Sequence, residues 1–554
     1  MRVVLLTTLL QSTVAIQRSG PSALSRGRRG SSEGMSRFAS SSTTTVVWLR
    51  DELRVHDNAL LADAARRGGS VLPVFCLDDR VFSGSAKSRS GSSLKTGARR
   101  ARFVLESLED LRRGLEARGS GLVVERGRPA DVIGRLVADL GGDAVVVCSD
   151  SACSEEKRDE AAVARAAPLE KVWEGTMYHP EDLDGVKFHD LFTAWRTSVE
   201  KAKTPIRDDV FGAGAGLPPP PETCKAALGA ALPTLEDLGY RAADAACDLR
   251  GDFFDPKGGE TAALARLQRY VFDEDRLKTY FDDRNGMIGQ GYSTKLAPWL
   301  SRGCISPRTV ARACATYERT RGIKNKSTYW VVFELTWRDY FVYYARKHGA
   351  KLFRPYGAKG IQERKWQANA KGLEAWKRGT TGCPLIDANM RELAATGFMS
   401  NRGRQNVASY LVLDLGIDWR LGAEHFEEHL VDYTPEANWG NWHAAAGLNG
   451  GRLNRFNTLK QSKDYDPNGD YVRLWIEDLS KVPAPKCFTP HALSHEDREK
   501  YGAQNYPAPI PTLGFKFPEG SKKKPNAKPR DSDKADITRK RRQKNRVQSS
   551  AWSQ

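Results

Sequence analysis

Thr45-Val-Val-Trp-Leu49, Ala59-Leu-Leu-Ala-Asp-Ala-Ala-Arg66 and Val71-Leu-Pro-Val-Phe-Cys-Leu77 decide the fold of the first part of this chain. They read as strand, helix and strand, with turn residues between. Working outward, the alternation continues. Strands are expected at 122–125, 144–148 and 171–173, and helices at 98–118, 130–140 and 155–166. Strands that alternate with helices build a parallel sheet with helices on both faces. Ligands of such sheets bind beyond the carboxyl ends of the strands. No G-x-G-x-x-G follows the first strand, so a nicotinamide-type dinucleotide site is not indicated. The expectation for residues 46–180 is a Rossmann-like α/β domain.

From 181 to 255 periodicity weakens. Gly and Ala alternate over 212–216 and four prolines occupy 218–221. This reads as an inter-domain linker that wraps a surface. From 256 to 495 strand signals nearly vanish and helical windows dominate, for example 260–280, 329–347 and 403–415. An all-α second domain is expected there. Residues 496–554 lose apolar periodicity and read as a basic, disordered tail.

The chain carries a net charge of +18 over 554 residues. Residues 1–45 hold six Arg against one acid, and residues 516–548 hold 13 Lys or Arg against four acids. The globular middle is therefore only mildly basic, and core affinity for nucleic acid needs a local patch. The basic run at 539–546 is of the kind found in nuclear-localisation and nucleic-acid-binding segments. Nine Cys without a C-x-x-C pair argue against a disulfide framework or a structural zinc site. No run of 18 apolar residues is present, so no transmembrane helix is expected. Residues 1–45 join a short apolar stretch behind Arg2 to a Ser- and Arg-rich, acid-poor segment. Signal-like and transit-like sequence in series suggests import into a plastid, with the mitochondrion or nucleus as alternatives.

Four segments could carry chemistry. His425-Phe-Glu-Glu-His429 fits an H-x-x-E-H zinc-peptidase pattern, but no third ligand follows it. Solvated histidines on a helix face, with no metal, are the expectation. In Asn325-Lys-Ser-Thr-Tyr-Trp-Val-Val-Phe-Glu-Leu-Thr-Trp-Arg-Asp-Tyr340, Glu334, Trp337 and Arg338 fall at i, i+3 and i+4 on one helix face. A carboxylate, an indole and a guanidinium there suit a planar or anionic ligand. A salt-bridged helix with core aromatics fits that window as well. Asp432-Tyr-Thr-Pro-Glu-Ala-Asn-Trp-Gly-Asn-Trp442 mixes turn residues with amides that can meet a heterocycle's edge. Gly291-Tyr-Ser-Thr-Lys-Leu-Ala-Pro-Trp299 offers hydroxyls, backbone amides and a Lys, a phosphate cradle in kind.

Taken together, the order and spacing of these segments resemble one family. Val47-Trp-Leu-Arg-Asp-Glu-Leu-Arg-Val-His-Asp-Asn58 and Trp299-Leu-Ser-Arg-Gly-Cys-Ile-Ser306 resemble motifs of the photolyase/cryptochrome superfamily. Asn401-Arg-Gly-Arg-Gln-Asn-Val-Ala-Ser409, Gly440-Asn-Trp442 and Tyr465-Asp-Pro-Asn-Gly-Asp-Tyr-Val472 are similar to its DASH cryptochromes.

The resemblance implies an α/β antenna domain, a wrapping linker and a helical domain binding flavin adenine dinucleotide (FAD). It implies that Tyr280 and the loop of Ser293, Thr294, Lys295, Leu296 and Ala297 hold the cofactor's phosphates. Arg338, Arg404, Asp432, Tyr433 and Thr434 would contact the rest, and Asn438 would face the flavin N5. Thr434 stands where the family often has Asp. Trp442, Trp419 and Trp366 match a tryptophan electron chain ordered from flavin to surface.

The activity implied is light-driven splitting of cyclobutane pyrimidine dimers, the dimer being flipped into a pocket. Glu334 resembles the carboxylate that contacts its bases, Trp337 the indole that stacks on it and Asn401 a polar contact. Arg284, Arg402 and Gln405 would form the DNA-binding rim. Ala444 replaces a second pocket Trp, which points to single-stranded DNA as the preferred partner of a monomeric protein. Ser154 and Glu155 match positions that hold a 5,10-methenyltetrahydrofolate antenna, although a helix N-cap with first-turn acids explains them equally. The alternative reading is a blue-light photoreceptor without significant repair activity.

Overall fold

The computed structural model describes residues 43–513, apart from 213, 363, 364 and 452. The targeting segment as far as residue 42, and the basic tail beyond 513, lie outside the described residues. Five strands form one parallel sheet: β1 (Thr44–Leu49), β2 (Ser70–Leu77), β3 (Val123–Arg126), β4 (Ala144–Ser149) and β5 (Leu169–Val172). Their order is β3-β2-β1-β4-β5. β1 is central, pairing Thr45 with Val71 on one side and Trp48 with Cys148 on the other. Every residue of β1 is buried, as a continuous β-branched run requires of a strand covered on both faces. β1 starts at Thr44, so the expected targeting segment overlaps the fold by two residues. β5 begins two residues earlier than expected.

Val46, Trp48, Leu72, Val74, Val146 and Cys148 pack in one apolar cluster with Ile133 and Leu136 of the helix Pro129–Asp139. The chain runs β1 to β3 on one side of the sheet and then crosses to β4 and β5. The crossing makes a switch point at the carboxyl ends of β1 and β4, where such sheets bind ligands. Helical-domain residues close that crevice. Arg302 bonds Asp51 after β1 at 2.7 Å and donates to the Tyr433 carbonyl at 2.7 Å.

Residues of the 181–255 segment pack against the α/β domain. Leu217 bonds the Arg118 carbonyl, Asp57 bonds the Phe211 carbonyl, and Cys224 joins the sheet cluster. The segment also contributes a helix, Phe192–Lys201, which reaches the helical domain. All nine Cys are free and seven are buried, in keeping with packed thiols. No helix among the described residues is long and apolar enough to cross a membrane.

The second domain is helical. Its longest helix, Lys326–His348, starts at a capping box in which Asn325 and Thr328 satisfy each other's backbone N–H groups. Residues 260–280 are not the single helix expected. Asp275 takes a left-handed φ of 54°, and helix Glu260–Gln268 gives way to short turns ending at Tyr280–Asp283. The expected disordered tail from 496 is also corrected. Helix His495–Tyr501 is followed by Tyr506, 2% exposed, whose hydroxyl donates to Asp387 at 2.6 Å. That anchor uses one aromatic and no periodicity, which is why the pattern misses it.

Candidate functional site

The loop Ser293 to Ala297 is held in a strained form. Ser293 and Lys295 take φ of 59° and 54°, a conformation that costs non-glycine residues about 1–3 kcal/mol each. Arg266 pins the loop by donating to the Thr294 and Gln290 carbonyls, both at 3.0 Å. Lys295 is 6% exposed; its Nζ donates to the Gly289 carbonyl at 2.9 Å and sits 4.0 Å above the Tyr292 ring. Burial lowers its pKa to about 8. Glu392 lies within electrostatic reach, its own pKa pushed up to about 7 by burial, and accepts from the Tyr471 hydroxyl at 2.6 Å.

Arg404 bonds Asp432 at 2.8 Å and the Met399 carbonyl at 2.9 Å. Lys295, Phe398 and Asp432 line one cavity with Phe254 and Pro298. The Tyr292 hydroxyl, Asp432 Oδ1 and Arg266 Nη1 are buried here without a protein partner. Buried polar atoms of this kind call for a ligand or ordered water. Cationic donors beside a strained hydroxyl loop, with an acceptor carboxylate opposite, fit a dinucleotide: diphosphate on one side, a hydrogen-bonding heterocycle edge on the other.

A second cluster surrounds Glu334. Trp330, Glu334, Trp337 and Arg338 lie at helical spacing on Lys326–His348. The Trp330 indole donates to Glu334 at 3.0 Å, and Arg284 lies 3.9 Å from the same carboxylate oxygen. Arg284 also stacks on Phe281 and Trp330 at 4.9 and 5.0 Å. Burial raises the Glu334 pKa and Arg284 partly offsets it. Tyr280 is buried, and burial with the nearby Glu334 charge raises its pKa. Asn401 and Gln405 are exposed on the helix Asn401–Ser409. Arg402 bonds Gln405 at 2.7 Å and Asn285 at 3.2 Å. The neighbours Arg284 and Asn285 thus link the Glu334 cluster to the helix Asn401–Ser409.

Two expected site residues have other partners. Arg338 donates to the carbonyls of Gly175 and Leu300, joining the segment after β5 to the helical domain. Trp337 has one indole face covered by Phe192 of the linker helix, centroids 3.5 Å apart. At most one face is open to a base.

The turn at 432–434 leads into the helix Pro435–Ala445. Thr434 caps it by accepting from the Ala437 N–H, the short-side-chain role that suits this position. Tyr433 is buried under Arg100 and accepts from the Trp439 indole at 3.3 Å. Asn438 donates to the Ala423 carbonyl at 3.0 Å, which fixes its amide. Trp442 is 2% exposed and lies against Gly422, where an added Cβ would come within 2.3 Å of the indole. Trp419 is fully buried and donates to the Pro355 carbonyl, while Trp366 is only half-buried.

Sequence reasoning missed Phe192, Glu392, Trp376 and Trp439. Trp376 meets Trp442 edge-on at 6.0 Å, and Trp439 meets Trp419 at 5.6 Å. Each reads as a core aromatic in its own window; only ring contacts distinguish it. The histidine expectation is corrected as well. His425 is 6% exposed, not solvated, because its helix face packs on Trp376 at 5.5 Å.

In the crevice at the sheet's switch point, Glu155 pairs with Lys95 at 2.7 Å, and Lys95 also reaches Glu427 at 2.7 Å. Ser154 opens the helix Ser154–Ala166. Burial and the neighbouring Glu436 push Glu156 up to about 7.

Two family models match the chain: DNA photolyase over residues 45–220, and the FAD binding domain of DNA photolyase over residues 330–515. Among curated proteins, the "Cryptochrome DASH, chloroplastic/mitochondrial" of Ostreococcus tauri is 45% identical, covering 84% of this chain and 89% of its own. The Cryptochrome DASH of Xenopus laevis is 42% identical, covering 85% and 90%. Among solved structures, a cryptochrome of Synechocystis sp. PCC6803 superposes with a TM-score of 0.78 at 39% identity, covering 85% of this chain and 97% of that one.

Proposed function

Since this chain belongs to the photolyase/cryptochrome family, in its cryptochrome DASH branch, we propose that it repairs cyclobutane pyrimidine dimers under blue light, preferring single-stranded DNA. The observation that carries the reading is the Glu334 carboxyl, held by Trp330 and Arg284 in the same helical domain as the strained Ser293–Ala297 loop and its cationic side chains. FAD, when bound, supplies a light-excited electron donor.

The chain's own residues do the rest. Lys295, Arg404 and the Ser293–Thr294 hydroxyls hold the diphosphate, Tyr280 borders it, and Asn438 and Asp432 meet the heterocycle. Glu334, its pKa raised by burial, holds a proton toward a pyrimidine carbonyl. Trp337 offers its open face to one base, and Asn401 with Arg284, Arg402 and Gln405 receives the flanking strand. With Phe192 backing one indole face and Ala444 in place of an opposing ring, the proposed pocket has a single aromatic wall. Flipping a dimer out of duplex costs a few kcal/mol, and a single strand avoids most of that cost. Trp442, Trp419 and Trp366 form the outward route for the electron hole, with exposure rising at Trp366.

The antenna, 5,10-methenyltetrahydrofolate, is proposed in the crevice beside Ser154 and Glu155. Relatives named chloroplastic/mitochondrial support delivery by residues 1–45 to an organelle, here the plastid. Illuminating the reduced, FAD-loaded monomer with dimer-containing single- and double-stranded oligonucleotides tests the enzyme reading. Dimer loss in the single strand is expected. FAD-loaded protein that repairs neither form overturns the enzyme reading.

A further inference from the structure

The helix Trp419–His429 carries a group that the function above does not use. His425, Glu428 and His429 each offer a ligand atom, and these atoms all lie within 4.8 Å of one another. The two imidazole rings are 4.2 Å apart. They sit at i and i+4 with the carboxylate at i+3, so one helix face presents all three.

A second observation points to an occupant. His425 is 6% exposed, and its Nδ1 is buried with no hydrogen-bond partner. A buried, unsatisfied nitrogen is costly, and such groups are normally answered by water or an ion. His429 Nδ1 is engaged by the His425 carbonyl at 3.1 Å. That contact makes Nδ1 the protonated nitrogen and leaves Nε2 with a free lone pair. The Glu428 and His429 side chains are each 22% exposed, so the cluster has an opening to solvent.

The charged groups facing the cluster are Glu428, Lys377 and Arg99. Lys377 is held by the Ser92 carbonyl and Arg99 by the carbonyls of Ala246 and Ala394. Glu428 supplies the compensating negative charge.

We propose that His425, Glu428 and His429 bind one borderline divalent transition ion, Zn2+ being the probe ion, through two imidazole nitrogens and a carboxylate oxygen, with water completing a tetrahedron. Nitrogen and oxygen ligands at bond lengths of about 2.0–2.2 Å suit this ion. The ion would sit beside Trp376, whose ring touches both His425 and Trp442.

The test uses untagged, FAD-loaded protein stripped with a chelator. Calorimetric titration with Zn2+ is expected to show one saturable equivalent per chain, and Co2+ to give the visible bands of a tetrahedral site. His429→Ala is expected to weaken Zn2+ at least as much as the roughly 10–100-fold seen on loss of supporting residues, with FAD content and circular dichroism unchanged. Glu428→Gln, at the solvent side, serves if His429→Ala fails to fold. Absence of saturable binding up to about 1 mM Zn2+, a weakness equivalent to roughly 4 kcal/mol, overturns the proposal. Equal affinity in wild type and either folded variant overturns it too.

Discussion

Phe192 lies parallel to Trp337, ring planes within 13° and centroids 3.5 Å apart. A linker residue thereby sets one wall of the proposed substrate pocket. Phe192→Ala removes a buried ring, and such truncations cost about 3–5 kcal/mol. The expected outcome is a lower unfolding midpoint together with a raised KM for single-stranded dimer, because Trp337 loses its backing. An unchanged KM in folded protein would detach the linker from the pocket.

Glu334 is expected to act as a proton-bearing group. Burial raises its pKa, so the protonated form is present at low pH and is lost as pH rises through the raised value. Repair by wild type should fall over that rise, while Glu334→Gln, which always carries N–H donors, should show a flat profile at reduced rate. Rate against pH for both proteins checks this.

Lys295 has its pKa lowered to about 8, so the free protein loses this cation as pH rises past that value. FAD affinity should weaken correspondingly between about pH 7 and 9. Lys295→Met should remove that pH dependence. It should also cost about 1.5–3 kcal/mol of affinity, the range for a charged hydrogen bond. FAD release followed by flavin fluorescence is the measurement.

Trp442→Phe should abolish flavin photoreduction while sparing repair by chemically reduced protein. Trp376→Phe should leave photoreduction largely intact if the route runs through Trp419. Transient absorption on both variants checks this.

His443 is fully buried, and burial lowers its pKa to about 4. Its neutral Nε2 accepts from the Ala358 N–H at 2.9 Å. Between about pH 6.5 and 4 the unfolded chain binds a proton there that the folded chain refuses. Stability is therefore lost as pH falls through that window, by up to about 3 kcal/mol. His443→Gln should lessen the acid-induced drop in melting temperature relative to wild type over the same window.

How much of this was legible varies with the kind of feature. The strands were, because β-branched runs such as Thr45 to Leu49 can be buried only in a sheet covered on both faces. Residues 260–280 were not. A single left-handed Asp275 ends a helix whose apolar period continues through it. Tyr506 was lost in a polar tail because one long-range hydroxyl to Asp387 carries no local pattern. The site residues could be nominated from their windows and the family resemblance, yet Arg338 turned out to be tied to the Gly175 and Leu300 carbonyls.

By itself, the sequence determined the α/β and helical halves, the parallel sheet, the wrapping linker and the family. These follow from periodicity and motif order, which are properties of neighbours along the chain. Only the tertiary structure decided that Phe192 covers one face of Trp337 and that Lys295 sits above Tyr292. It alone decided that His425 is buried with an unsatisfied nitrogen. The reason is that pocket walls, ring stacking and desolvation depend on contacts between residues far apart in sequence. Local pattern sets which face of a helix is apolar, and packing sets what meets it.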